Sequence, residues 1–326
     1  MTELDKFYEN TIYISYSGLK KLLYSPKSFY KYYVLKEKKQ DQTQKSALLG
    51  KLVHCLILDP ESYKTKFALF PDSLPPATVI KLLKMLDNKF AEENIKPSSN
   101  LDVYEKKIFE ILKEHKIYAS YTYAIQKKKI FTDEARQYWI YMCIVKNNSD
   151  IINNEMLEEA HELKKIIESS EKALDFLGHG NIDDEISIEN EYYCVTAEHP
   201  ELGFALHGYI DNMVINHTTK TIEINDLKTT GKSISLFPES IEFYSYNVQA
   251  ALYKKMIESH YPDYHIKFRF IVIDNEKQLG FFNVTDQTMN EWEELLNQKL
   301  EICSYHIKNR KFDLPSMFGD SNEIDI

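Results

Sequence analysis

Two aspartates and a lysine, Asp211, Asp226 and Lys228, are of types and at a spacing that could do chemistry together. They lie in 204–215 (FALHGYIDNMVI) and 220–230 (KTIEINDLKTT), segments rich in β-branched and aromatic residues that read as two strands. A turn at Thr218-Thr219 would set Asp211 opposite Asp226, Met213 opposite Ile224 and Ile215 opposite Ile222. Strand side chains alternate, so Ile222, Ile224, Asp226 and Lys228 would then share one face, apolar at one end and charged at the other. A slip of one residue would send a carboxylate to the far side, and Thr-Thr is not a favoured tight-turn pair. The chemistry therefore depends on the turn.

Two carboxylates held across a hairpin repel unless something positive sits between them. A divalent cation is the natural partner, since Mg²⁺ is commonly held by one or two carboxylates and keeps several waters. Lys228, two residues beyond Asp226, would lie beside the same cation. It could orient or deprotonate an attacking water, or stabilise charge building on a phosphate oxygen. That combination suits phosphodiester hydrolysis. Asp-x-Lys alone also occurs by chance, and its bland reading is a weak surface ion pair.

The elements that must position these residues follow from pattern and punctuation. Ser15 and Ser17 precede the apolar spacing of SGLKKLLYS as N-caps do, and Ser25-Pro26 puts proline in the first turn of another helix. A third helix is expected over about 46–58 (SALLGKLVHCLIL), ending before Pro60, with Gly50 and His54 on one face. After a proline-rich turn, 72–178 reads as a long helical insertion rich in Lys and Glu, with a basic loop at Lys127-Lys128-Lys129. Past Gly178-His179-Gly180 the character changes. A strand is expected over 186–197 ahead of the two already named, then a helix over roughly 238–259, strands over 267–274 and 279–286, and a closing amphipathic helix over about 287–308. This order predicts a single α/β domain over 1–326, a mixed sheet flanked by helices: N-terminal helices in 1–71, the insertion in 72–178, the catalytic core in 179–326.

Four motifs in order carry a resemblance. Gly50-Lys-Leu-Val-His54 is followed by Leu-Asp-Pro-Glu-Ser-Tyr (58–63); Gly208-Tyr-Ile-Asp211 precedes Asp226-Leu-Lys228-Thr-Thr by fourteen residues; Tyr246-Asn-Val-Gln249-Ala-Ala-Leu-Tyr253 comes after. Together they resemble the PD-(D/E)XK nuclease superfamily and its restriction-endonuclease-like core, in particular the RecB-type branch with its helical histidine and Gln-x-x-x-Tyr element. The opening Tyr13-Ile-Ser-Tyr-Ser-Gly-Leu-Lys20 and Ser25-Pro26 resemble the RecE (exonuclease VIII) nuclease domain. Aspartate stands where Asp/Glu is allowed in the D-x-K element.

The resemblance implies roles. His54, Asp211 and Asp226 would ligate Mg²⁺ or Mn²⁺, with the backbone carbonyl of Leu227 completing the set, and Lys228 would be the catalytic lysine. Gln249 and Tyr253, four apart on one helix face with Tyr246, would line the site and help position DNA or Lys228. The bland reading of His54 is a core histidine, since imidazole is not a typical Mg²⁺ ligand; for Gln249 and Tyr253 it is helix packing. Glu191 would be an outer ligand, or simply a solvated strand carboxylate. The implied activity is exonucleolytic hydrolysis of linear double-stranded DNA, 5′→3′, in phage-type recombination, by a ring-shaped homo-oligomer partnered by a single-strand annealing protein. An endonuclease or single-strand nuclease on the same core, or a catalytically silent DNA-binding module, are the other readings.

Composition sets the remaining bounds. Four cysteines, Cys55, Cys143, Cys194 and Cys303, form no C-x-x-C pair, and only Cys303 follows Tyr253. No structural zinc or iron–sulfur cluster is expected. G-x-x-x-x-G-K-[ST] is absent, so ATP-driven strand opening is not intrinsic. The chain has a net charge of −10, yet residues 1–51 carry ten lysines against five acids, +5 in all. Tyr8, Tyr13, Tyr16, Tyr24, Tyr30, Tyr32 and Tyr33 interleave with them, a pattern that fits either a nucleic-acid surface or a solvated helical face with tyrosines turned inward. No apolar run long enough to span a bilayer exists, and MTELDKFYEN has no secretory character, so a cytoplasmic protein is expected.

Overall fold

In the computed structural model, residues 3–37, 45–145, 150–180 and 185–313 are described. Cα packing divides the chain into two compact units, one of 1–50 with 165–326 and the other of 51–164.

The first unit is built on a six-stranded mixed sheet. Its strands are β1 (Tyr13–Ile14), β4 (Ile186–Val195), β5 (Ala205–Asn216), β6 (Thr221–Thr230), β7 (His265–Asp274) and β8 (Leu279–Val284); the intervening β2 (Phe67–Leu69) and β3 (Asp150–Ile152) belong to the second unit. β5 pairs antiparallel with β4 and β6, β6 runs parallel to β7, and β7 pairs antiparallel with β8. The parallel step needs a crossover, supplied by helices Phe237–Phe243 and Tyr246–His260, here α4 and α5. The single helix expected over 238–259 is thus two, because Ser245 adopts a left-handed conformation (φ +61°) between them. Also labelled are α1 (Tyr16–Tyr24), α2 (Lys45–Leu58), α3 (Glu171–Phe176) and α6 (Asp286–Asn309).

Local chemistry accounts for the helix ends. The Ser15 side chain accepts from Gly18 N at 3.2 Å and starts α1, and Ser25 accepts from Ser28 N ahead of Pro26. β1 was not expected; it is two residues long and runs parallel to the start of β5. One face of the sheet meets a continuous apolar core of Leu206, Ile210, Met213, Ile215, Ile222, Ile224, Phe268 and Phe270 from the strands, with Val248, Leu252, Met256 and Leu296 from α5 and α6. Gly208 matters to this packing: a Cβ there would lie 3.3 Å from both Tyr253 and Met256 of α5.

The second unit is mainly helical. Val79, Leu82, Leu83, Leu86, Ile108, Ile111 and a fully buried Trp139 form its core. A short parallel pair, β2 (Phe67–Leu69) with β3 (Asp150–Ile152), was not foreseen. Lys127, Lys128 and Lys129 lie in helix Tyr123–Ile130 rather than in a loop; the helix continues to a buried Ile130, and Lys127 pairs with Glu105 at 2.7 Å.

Candidate active site

The hairpin register is the one the sequence suggested: Met213 opposes Ile224 and Ile215 opposes Ile222, although the connection is four residues, 217–220. Asn216 Oδ1 accepts from Thr219 N at 2.8 Å, and Lys220 takes the left-handed conformation (φ +50°) that closes the turn. Pairing stops at Asn212 with Asn225. Beyond that point the Asp211 side chain replaces the ladder: its Oδ2 accepts from Leu227 N at 2.9 Å. The carboxylate is thereby locked to the strand that carries the other two residues.

The β4–β5 pair shows why these carboxylates face the site. Asn190 pairs with Asn212 and Tyr192 with Ile210, but Glu191 and Asp211 between them do not pair. Along β5 the core residues are even-numbered up to Ile210 and odd-numbered from Met213 on, so the alternation slips by one at this place. Glu191 takes up the slip with a left-handed backbone (φ +48°), an uncommon state for a strand residue with a Cβ. Glu191 and Asp211 offer carboxylate oxygens within 4.8 Å of each other. In the sequence Glu191 is one of two glutamates in a strand that also holds Ser187 and Asn190, so it carried no signal of its own.

Asp226 continues the apolar face of Ile222 and Ile224 and is fully buried. Its Oδ2 forms an ion pair with Lys228 Nζ. Burial opposes the Lys228 charge, but Asp226 and then Asp211 outweigh it, and the ammonium is held above the usual lysine range. The ammonium also lies over the Tyr246 ring, 5.0 Å from its centroid. One turn farther along α5, Gln249 Nε2 donates to Tyr253 Oη at 3.0 Å. Burial, reinforced by Asp211 and Asp226, pushes the Tyr253 hydroxyl strongly upward, so it remains a protonated donor.

The N-terminal segment contributes more than charge. Tyr16 Oη donates to the Tyr244 carbonyl at 2.6 Å, and Lys20 Nζ donates to the same oxygen at 2.8 Å. Tyr8, Tyr16, Tyr30 and Tyr33 pack against the core, as the inward-turned reading of the tyrosine pattern expects, whereas Tyr13 and Tyr24 are exposed. Gly50 of α2 faces Thr229: a Cβ there would lie 2.9 Å from Thr229 Oγ1. His54, half-buried, follows one turn later on the same helix and belongs with the second unit.

A family profile described as PD-(D/E)XK nuclease superfamily matches residues 13–314. The chain belongs to the PD-(D/E)XK nuclease superfamily. As a member it is a nuclease and a hydrolase, and PD-(D/E)XK nucleases use divalent metal ions. The carboxylate oxygens of Glu191 and Asp211, within 4.8 Å of one another, fit such hard cations. No match to a curated protein was found. Among solved structures, a Eubacterium rectale protein named as a putative exonuclease is similar at 13% identity, covering 94% of this chain and 84% of its own, with a TM-score of 0.49. The protein SSO0001 is similar at 12% identity, with 68% and 84% covered and a TM-score of 0.25. Among the described residues of this PD-(D/E)XK nuclease, no helix is long and apolar enough to cross a membrane.

Proposed function

We propose that this protein is a metal-dependent exonuclease that hydrolyses linear double-stranded DNA from an end, 5′→3′, in the manner of RecE. The observation that carries the reading is the convergence of Asp211, Asp226 and Lys228 at one end of a sheet face, under a helix whose Gln249 and Tyr253 are already hydrogen-bonded to one another. Asp211, Asp226 and Glu191, with the Leu227 carbonyl and His54, are the proposed ligands of Mg²⁺ or Mn²⁺. When bound, the ion supplies Lewis-acid polarisation of the phosphate and an activated water. His54 rests on its place one turn beyond Gly50 on α2.

Lys228 acts in its charged form: with its proton held by two neighbouring carboxylates, it orients the attacking water and offsets charge on the phosphate oxygen. Tyr253 accepts from Gln249 and keeps its own hydrogen to donate, which steadies the carboxylates it faces. The basic N-terminal segment supports a DNA substrate. The 5′→3′ polarity, a ring-shaped homo-oligomer, a single-strand annealing partner, a recombination role and a cytoplasmic setting all rest on the RecE resemblance.

The test is digestion of linear and closed circular duplex DNA by wild type and Lys228→Ala, with Mg²⁺, Mn²⁺ or chelator and with label at either end. Nucleotide release from linear DNA alone, only with metal and only by wild type, supports the reading, and the label lost first reports polarity. If wild type leaves every DNA form intact under all metals, the catalytic reading fails. Cutting of circular DNA would make it an endonuclease.

A further inference from the structure

The short helix α4 buries Phe237 and Ser240 in the sheet-facing core but turns its last ring, Phe243, outward, 73% exposed. Phe243 does not stand alone. The Tyr244 ring meets it edge-on at 4.9 Å, Tyr246 follows at 5.5 Å from Tyr244, and the Lys228 ammonium lies 5.0 Å from Tyr246. A row of three rings therefore leads from the catalytic lysine out to solvent. The corner between Tyr244 and Tyr246 is held by the left-handed backbone of Ser245 and by the Tyr16 and Lys20 bonds to the Tyr244 carbonyl. The row is thus braced against an element far away in sequence. Lys232 places its ammonium 5.2 Å from the Phe243 ring centroid.

We propose that Phe243 and Tyr244 form a stacking platform for one unpaired nucleobase of the strand being cut, with Lys232 beside it for the adjoining phosphate. The proposal rests on the nuclease reading and specifies its substrate contact. An exposed ring beside an ammonium is what an unstacked base with its phosphate requires, and such stacking is indifferent to base identity. The same helix carries exposed Glu239 and Glu242, so the patch is not a cationic track for a duplex backbone. Stacking is the contact it offers. The row also explains how a site under α5 reaches a strand end: a base displaced from the duplex gains a ring, and the strand that carries it is led along the row toward Lys228.

The experiment uses a short single strand containing 2-aminopurine, with Ca²⁺ in place of Mg²⁺ to follow binding and Mg²⁺ or Mn²⁺ to follow cleavage. Wild type should quench the 2-aminopurine, and Phe243→Ala should weaken binding about tenfold and abolish the quenching. Phe243→Trp should restore both. Tyr193→Ala, which removes an exposed ring of β4, should change neither. An abasic residue at the quenched position should cost wild type the same tenfold and cost Phe243→Ala nothing further.

Wild type that cleaves while Phe243→Ala binds and quenches equally well overturns the platform and leaves the nuclease reading standing. Binding with Phe243-dependent quenching but no cleavage does the reverse. Loss of equal size on intact and abasic strands overturns it, since the ring would then serve the fold. If wild type does not bind the strand and its oligomeric state changes with Phe243→Ala, the patch is an interface between copies and the proposal falls.

Discussion

Residues 211 and 212 are adjacent in β5, and 225 and 226 are adjacent in β6, yet the two members of each pair point to opposite faces of one sheet. On one face Asp211 and Asp226 gather with Glu191 and Lys228. On the other, Asn212 and Asn225 are the buried middle of a ladder that crosses five strands and ends at the exposed Asn190 and Asn283. Asn212 Nδ2 donates to Asn190 Oδ1, and Asn225 Nδ2 to Asn212 Oδ1, each at 2.8 Å. Arg269 donates to Asn225 Oδ1 at 2.8 Å, Glu223 at 3.2 Å and Asn283 at 2.6 Å, and stacks 3.4 Å over the Phe176 ring. Carbonyls of Phe176 and Leu177 at the end of α3 accept the remaining amide hydrogens of Asn225 and Asn212.

The difference lies in donor balance. A carboxamide carries both donor and acceptor, so amides in a row satisfy one another without net charge. Carboxylates only accept, and a cluster of them needs cations: the Lys228 ammonium, and a metal ion where one is bound. Three of the ladder asparagines sit beside a site carboxylate: Asn190 beside Glu191, Asn212 beside Asp211, Asn225 beside Asp226. The neutral face therefore sets the depth and register of the charged one.

The comparison can be broken from either side. The largest effect is expected at the charged face: Lys228→Ala or Lys228→Gln should lower DNA hydrolysis about 100- to 1000-fold, measured as metal-dependent nucleotide release. In the absence of metal both variants should also melt earlier, and added cation should restore part of the difference, because Asp226 loses its ammonium partner. On the neutral face, Asn225→Leu should cost about 2–3 kcal/mol in denaturant unfolding, since Arg269 and the Phe176 carbonyl lose a buried partner. Its hydrolysis should fall less than that of Lys228→Ala; an equal loss would show that the faces are not separable.

Glu191→Asn should act with opposite sign on the two properties. Asparagine tolerates the left-handed conformation better, so stability should rise by about 1 kcal/mol, while the metal concentration needed for half-maximal rate increases. Unchanged metal dependence would remove Glu191 from the site. The smallest effect is a coupling: Gly50→Ala should be neutral or unfavourable alone because of Thr229 Oγ1, yet stabilising by about 1 kcal/mol in a Thr229→Ala background, where helix propensity acts unopposed.

Much of the first unit was legible from pattern alone. The strands 186–195, 205–216 and 221–230 came from β-branched and aromatic runs, and the pairing of Met213 with Ile224 from the position of the turn. Capping chemistry at Ser15 and Ser25 marked two helix starts. What pattern did not disclose were features without a local signal. β1 is held by partners far away in sequence, Ser245 breaks a helix without glycine or proline, and β2 and β3 exist only because each pairs the other.

The amino-acid sequence by itself determined the chemistry available: two aspartates and a lysine at a spacing that one hairpin brings together, with glutamine and tyrosine one helical turn apart. Those are local properties, set by strand and helix periodicity. Only the tertiary structure decided which face each residue serves. The slip at Glu191 and Asp211, the Leu227 amide that locks the Asp211 carboxylate, and the asparagine ladder behind them depend on contacts between strands remote in sequence. Burial opposes the charge of the lysine those contacts enclose, and the Asp226 and Asp211 carboxylates beside it outweigh that and hold it charged.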